Sequence, residues 1–189
     1  MFTLVLMLLG ITGSIGGGKG TVVDYLVQKK SFAHYSSSDL LIDILKERDE
    51  VVDRDGMNRV ANELRSTNPA GVPAETYKKY QQDGSPRNAI FEALHSVPEA
   101  EFIKSIGGSV IAVTADSDIR YERISSRGSV KDDVTKEKFI EQQQREEEGS
   151  DDPNKSNIFN VIAGADHVID NSSTLEELHV QIDGILGKL

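Results

Sequence analysis

A doubly wound parallel α/β sheet, with a phosphate-binding loop after its first strand, is the fold that the sequence predicts. Three observations predict it. An apolar run, LLGIT, stops at Gly13. Gly13, Gly16, Gly17, Gly18 and Gly20 then surround Lys19, and a helical pattern starts at Val22. Beyond it, short apolar strands alternate with helical stretches, as in sheets whose parallel strands are joined by helices.

Residues 4–12 read as the first strand, continuously apolar because a parallel sheet is covered on both faces. Lys19 to Lys30 reads as a helix whose two closing lysines suit the negative end of its dipole. Ser31 to Tyr35 is a weak second strand. Ser36, Ser37, Ser38 and Asp39 offer N-caps to a helix running to about Arg48, with Leu40, Leu41, Ile44 and Leu45 as its apolar stripe. After a break at Asp53 to Gly56, helices are predicted over Met57 to Arg65 and Ala74 to Gln82, joined by a turn-rich piece. Asn88 to Leu94 reads as strand, Glu99 to Ile106 as helix, Ser109 to Thr114 as strand, and Asp116 to Arg127 as helix. Residues 128–158 are so polar that they predict a solvated, mobile segment. Phe159 to Ala163 is a short helix and His167 to Ile169 the last strand. Thr174-Leu-Glu-Glu177 is a capping box, opening a final helix with Leu175, Leu178, Ile182 and Leu186 inward. One domain is expected over 1–189, with a helical insertion at 36–85 and a lid at 128–158.

The loop carries the clearest chemistry. Glycine lets the backbone adopt positive φ and approach an anion closely. Free N–H groups of the loop and of the first helical turn then point at phosphates. Ser14 lies within this stretch, Lys19 supplies a mobile charge for the β- and γ-phosphates, and Thr21 supplies a hydroxyl. Gly13-x-x-x-x-Gly18-Lys19 fits the Walker A pattern, but Gly20 stands where Ser or Thr normally follows the lysine. The glycine spacing is not that of a dinucleotide-binding loop, where Lys19 would have no role.

With 31 acidic and 21 basic residues the net charge is −10, against non-specific binding to nucleic acid or anionic membranes. There is no cysteine, so disulfides and thiolate zinc sites are excluded, and the four histidines have no ligand spacing. The apolar N-terminal run lacks a basic leader and is far short of the ~20 residues that span a bilayer. A cytoplasmic location is expected.

Arg120, Arg123 and Arg127 fall on one helix face. Like charges stacked this way call for an anion, which makes a clamp on the transferring phosphoryl group and the donor nucleotide. The other reading is a solvated face paired with Asp116, Asp118 and Glu122. Arg54, Arg59 and Arg65 lie in or beside the insertion and suit an acceptor's phosphate, the plainer reading being a surface helix. Asp39 begins the first inserted helix, and Glu92 sits near the end of an apolar strand. Either suits orienting Mg²⁺ waters or accepting a proton. Asp39 also suits a cap, whereas a carboxylate in an apolar strand needs a partner.

Gly-Lys-Gly-Thr resembles the loop of adenylate kinase and its relatives. GITGSIGGGKGTVVDYL with HYSSSDLL resembles nucleoside monophosphate kinases and archaeal nucleotide-kinase-like proteins, and NRVANELR resembles the acceptor-binding region of the latter. The end, ADHVIDNSSTLEEL, is similar to dephospho-CoA kinase. These resemblances imply a P-loop NTPase three-layer αβα sandwich with strand order 2-3-1-4-5. They also imply that Asp170 and Asn171 lie near the adenine. Three departures stand out. The loop lacks the proline of many adenylate kinases, Ser38-Asp39 replaces the aspartate pair of dephospho-CoA kinase, and His95 stands where the archaeal relatives tend to carry arginine.

The expected activity is transfer of the γ-phosphoryl group of Mg-ATP to a small nucleotide acceptor, first a nucleoside monophosphate, with the 3′-hydroxyl of dephospho-CoA as alternative. Gly13 to Thr21 would hold the donor, with Asn171 near its base. Lys19, Arg120, Arg123 and Arg127 would stabilise the transferring charge. Asp39, Arg54, Arg59, Arg65 and His95 would face the acceptor, and Thr21 and Glu92 would hold Mg²⁺ through water. A nucleotide-binding regulator or weak ATPase is the rival of another class. No nucleic-acid or membrane partner is expected, and the chain is expected to act as a monomer or homodimer.

Overall fold

The computed structural model describes residues 6–85, 88–126, 135–148 and 156–189. In chain order its elements are β1 (Leu8–Gly13), α1 (Lys19–Lys30), β2 (Ala33–Ser36), α2 (Ser37–Glu47), α3 (Arg54–Thr67), α4 (Gly71–Gln82), β3 (Ala89–Glu92), α5 (Val97–Ser105), β4 (Ser109–Thr114), α6 (Ser117–Ser126), α7 (Lys136–Glu148), α8 (Ile158–Ala163), β5 (His167–Asp170) and α9 (Leu175–Leu186). The five strands form one sheet in the order β2-β3-β1-β4-β5, and each neighbouring pair is parallel. This is the order that the family resemblance implies, and the fold is that of a P-loop kinase. Ile11 of β1 lies opposite Glu92 of β3 and Ile111 of β4. The glycine-rich loop therefore leaves the sheet at its carboxyl edge, where open α/β sheets take their ligands.

Alternation along the strands builds two apolar layers. Leu9, Ile11, Ile90, Ile111, Val113 and Ile169 face α1 and α9, where they meet Val22, Leu26, Leu178 and Ile182. Ala89, Phe91 and Val110 face the other side, meeting Tyr80 of α4, Ile103 of α5 and Val161 of α8. Each fully buried Leu or Ile contributes about 1.5–3 kcal/mol. Gly10 allows the second layer to close, because a Cβ there would meet the Leu94 side chain at 2.6 Å. The insertion has its own small core of Leu41, Leu45, Val60, Ala61 and Val72.

Several local expectations change. Ser36, not Asp39, caps α2, since its Oγ accepts the Asp39 N–H at 3.2 Å. Helix α3 begins at Arg54 because Asp53 caps it, accepting the Gly56 N–H at 2.7 Å. Leu175 is 51% exposed rather than inward. It borders a cleft beside the glycine-rich loop instead of the core. Helix α7, inside the expected lid, is not simply solvated. Phe139 is fully buried, 5.6 Å from the Tyr121 ring and beneath the Arg120 guanidinium. Arg127 and the lid segments 128–134 and 149–155 lie outside the described residues.

Candidate active site

The loop between β1 and α1 is shaped by glycines that no other residue replaces. Gly13 has φ 146°, and a Cβ on it would strike the Val113 carbonyl oxygen. Gly18, the N-cap of α1, has φ 93°, and its Cβ would run into the Asn171 amide. An L side chain is strained at either position. Gly16 also has positive φ, whereas Gly17 has no such backbone and is tied by its N–H to Ser14 O at 3.0 Å. Lys19 folds back over the loop, donating to Gly13 O at 2.7 Å and Ser14 O at 3.2 Å. Its ammonium is thus held against carbonyl oxygens of the loop. Gly20 lies in the first turn of α1 with nothing within 4 Å of its Cβ position.

On one side of the loop is a cleft of about 320 Å³ lined by Gly18, Thr21, Arg123, Asn171, Ser173 and Leu175. Asn171 is buried and donates to Gly17 O at 2.9 Å, pinning the loop to the end of β5. Arg123 donates through Nη2 to Asn171 O at 2.8 Å. Its Nη1 is buried with no hydrogen-bond partner among the described residues. A buried cationic donor without an acceptor is costly, so this geometry suits an anionic ligand. Arg120 stands elsewhere. It is buried, and donates to Ala115 O, Ile15 O and Gln143 Oε1 at 3.0, 3.4 and 2.9 Å. Arg120 therefore joins the loop to α6 and α7. Asp170 is turned to its own neighbours, accepting from the Ser172 N–H and hydroxyl.

The other side gathers acid and imidazole groups. Glu92 ends β3, and its Oε2 lies 2.7 Å from His34 Nε2 on β2. That hydrogen bond holds the Glu92 carboxyl below its ordinary pKa, with the Lys19 charge adding to the effect. It also raises the pKa of His34, helped by Asp39 and Asp24. Ser37 Oγ donates to Glu92 O at 2.7 Å, and Thr12 Oγ1 to Leu94 O at 2.8 Å, so β1 and α2 both fix the end of β3.

His95 follows, in a loop where Ala93 has φ 68°. Burial pushes its imidazole down to about 4, and the charges of Arg65 and Lys19 act the same way. Behind it, fully buried Glu99 accepts from the N–H groups of His95 and Ser96 at 2.7 and 3.2 Å. Glu99 also accepts from Arg65 Nε at 2.9 Å, which brings this insertion residue to the core. Arg59 is not brought here. It is exposed and paired with Glu50 and Glu63. Arg54 is exposed at the start of α3, eleven residues from Arg65. Asp39 is exposed and borders a smaller cleft with His34 and Ser36 along β2.

The sign of the His95 shift has a measurable consequence. Its folded-state pKa lies below the unfolded value near 6.5, so the unfolded chain binds more protons between pH 6.5 and 4. Stability from this group is present above pH 6.5 and is lost as pH falls through that window, by about 2 kcal/mol at pH 5. His34 has the opposite sign: its contribution is full at low pH and fades as pH rises through its raised value. Urea unfolding is expected to show wild type losing more stability than His95→Gln between pH 7.5 and 5. Equal losses would contradict this.

Two residues of the site escaped the sequence reading. Glu99 had a signal, since Ser96-x-x-Glu99 before an apolar stretch is a capping-box pattern. His34 had only its alternation with Ser36, which becomes informative once β2 is known to pair with β3.

A family model described as an AAA domain matches residues 9–171. The UPF0200 protein of Sulfurisphaera tokodaii is 28% identical over 186 residues, covering 98% of each chain. The UPF0200 protein of Hyperthermus butylicus is 29% identical over 181 residues, covering 95% of this chain and 92% of its own. Two solved structures superpose along the whole fold. TT1252 from Thermus thermophilus does so with a TM-score of 0.61 at 19% identity, over 97% of this chain and 98% of that one. Shikimate kinase from Bacteroides thetaiotaomicron does so with a TM-score of 0.59 at 11% identity, over 98% and 100%. At these identities the likeness is one of fold.

Proposed function

The chain belongs to the AAA domain family, and we propose that it is an ATP-dependent kinase that passes the γ-phosphoryl group of Mg-ATP to a small nucleotide acceptor, first a nucleoside monophosphate. One observation carries the reading: Arg123, whose buried Nη1 has no hydrogen-bond partner among the described residues, lines a cleft of nucleotide scale beside the glycine-rich loop. The charge of Lys19 acts on both Glu92 and His95. Phosphoryl transfer needs positioning and electrostatic stabilisation more than covalent chemistry from the protein.

In this reading the N–H groups of the loop and Lys19 hold the β- and γ-phosphates, and Arg123 neutralises donor charge through Nη1. Asn171 keeps the loop in shape. Glu92 would hold Mg²⁺ through water, with the Thr21 hydroxyl in the first turn of α1. The residues fit such an ion: the Glu92 carboxyl is held below its ordinary pKa and, among the described residues, its Oε1 makes no hydrogen bond. Among the described residues there is no cluster of three side chains that could hold a metal ion. When bound, Mg²⁺ offsets negative charge on the phosphate oxygens. Among the described residues Arg65 is tied through Nε alone, which leaves its Nη groups for an acceptor's phosphate. Dephospho-CoA remains the alternative acceptor. A nucleotide-binding regulator is favoured by one observation, that Arg59 is engaged in exposed ion pairs and so leaves the acceptor side poor in cations.

The test is ADP release from Mg-ATP with AMP, CMP, UMP, GMP, their deoxy forms and dephospho-CoA in turn. Saturable release with one nucleoside monophosphate is expected. Slow release indifferent to every acceptor would favour the regulator.

A further inference from the structure

Glu92 owes its orientation to a residue on another strand. The register sets Ser36 opposite Glu92 and His34 opposite Ile90, so His34 and Glu92 share a face and meet diagonally across β2 and β3. Ile90 belongs to the layer covered by α1, so this is the face that carries the glycine-rich loop's helix. The Nε2 to Oε2 contact is 2.7 Å, and it is the one hydrogen bond of the Glu92 carboxylate among the described residues. Both side chains are partly exposed, 31% for His34 and 24% for Glu92, so packing alone does not fix them. A carboxylate near Lys19 without another partner would turn toward the ammonium and withdraw it from phosphate. Lys19 donates to Gly13 O and Ser14 O.

We propose that His34 is a positioning residue for Glu92: it holds Oε2 and leaves Oε1 for the water shell of the divalent cation that accompanies the nucleotide. The inference rests on the reading of Glu92 as the acid that faces the metal. His34 itself touches neither nucleotide nor metal in this arrangement. Residues that orient a metal-facing group through a hydrogen bond typically alter metal affinity 10–100-fold when removed.

The test is calorimetric titration of the full chain with ADP at increasing Mg²⁺, which needs no turnover. His34→Leu is expected to raise the Mg²⁺ concentration for half-maximal strengthening of ADP binding by about tenfold or more. Metal-free ADP affinity is expected to stay within about twofold, because the loop is untouched. His34→Gln, whose amide N–H replaces the ring donor, is expected to recover most of the loss. In a Glu92→Gln background His34→Leu is expected to add nothing. Should His34→Leu not fold, His34→Asn, whose amide falls short of Glu92, gives the same comparison. Unchanged Mg²⁺ dependence in these variants, no Mg²⁺ dependence in wild type, or a further shift in the Glu92→Gln background would each overturn the proposal. Failure of the kinase reading would show separately, as absence of acceptor-dependent turnover in wild type.

Discussion

Lys19→Ala is expected to lower acceptor-dependent turnover by about 10²–10³-fold while leaving the thermal midpoint nearly unchanged. Lys19 is the full positive charge placed on the loop, and its ammonium is fixed by two carbonyls of that loop. In the transition state, negative charge spreads over the transferring oxygens, and a fixed cation is worth most there. The hydrogen bonds that Lys19 donates to Gly13 O and Ser14 O lie at a partly buried site, so their loss costs the fold little. Steady-state kinetics with the winning acceptor, alongside thermal unfolding, checks both halves. Turnover within about threefold of wild type would remove Lys19 from the mechanism.

Glu99→Ala is expected to give the largest loss of stability, about 3–5 kcal/mol. Glu99 is fully buried and serves three donors at once: Arg65 Nε and the N–H groups of His95 and Ser96. Removing it strands a buried guanidinium and two backbone donors. For a chain of this size each kcal/mol lowers the melting temperature by about 2–4 °C, so a fall of about 6–20 °C is expected. Glu99→Gln keeps acceptor oxygen but loses charge, and is expected to fall between. Because Glu99 sets the Arg65 guanidinium and the His95 backbone, the acceptor KM should rise with the loss of stability. A melting temperature within about 2 °C of wild type would show that the pair contributes nothing net.

How much of this was legible in the sequence differs from residue to residue. The glycine-rich loop was readable because backbone chemistry, not tertiary packing, dictates it. The strand order was not in the periodicity; it came with the family resemblance, and the registers agree with it. Helical spacing put Arg120 and Arg123 on one face, but spacing names no partner. Arg120 spends its donors on Ala115, Ile15 and Gln143, whereas Arg123 Nη1 has no partner among the described residues. Arg59 had a readable i,i+4 partner in Glu63, which the structure shows it taking. The His34–Glu92 contact depends on which strands are neighbours, and so lay beyond any local pattern.

The most direct measurement follows the γ-phosphoryl group itself. Wild-type protein is incubated with Mg-ATP carrying ¹⁸O in the γ-phosphoryl oxygens and with the acceptor that stimulates ADP release, and the products are resolved by mass. The account predicts the label on the acceptor nucleotide, in amounts equal to the ADP formed. Label found only in inorganic phosphate, whatever acceptor is present, would contradict it and leave a nucleotide hydrolase in place of a kinase.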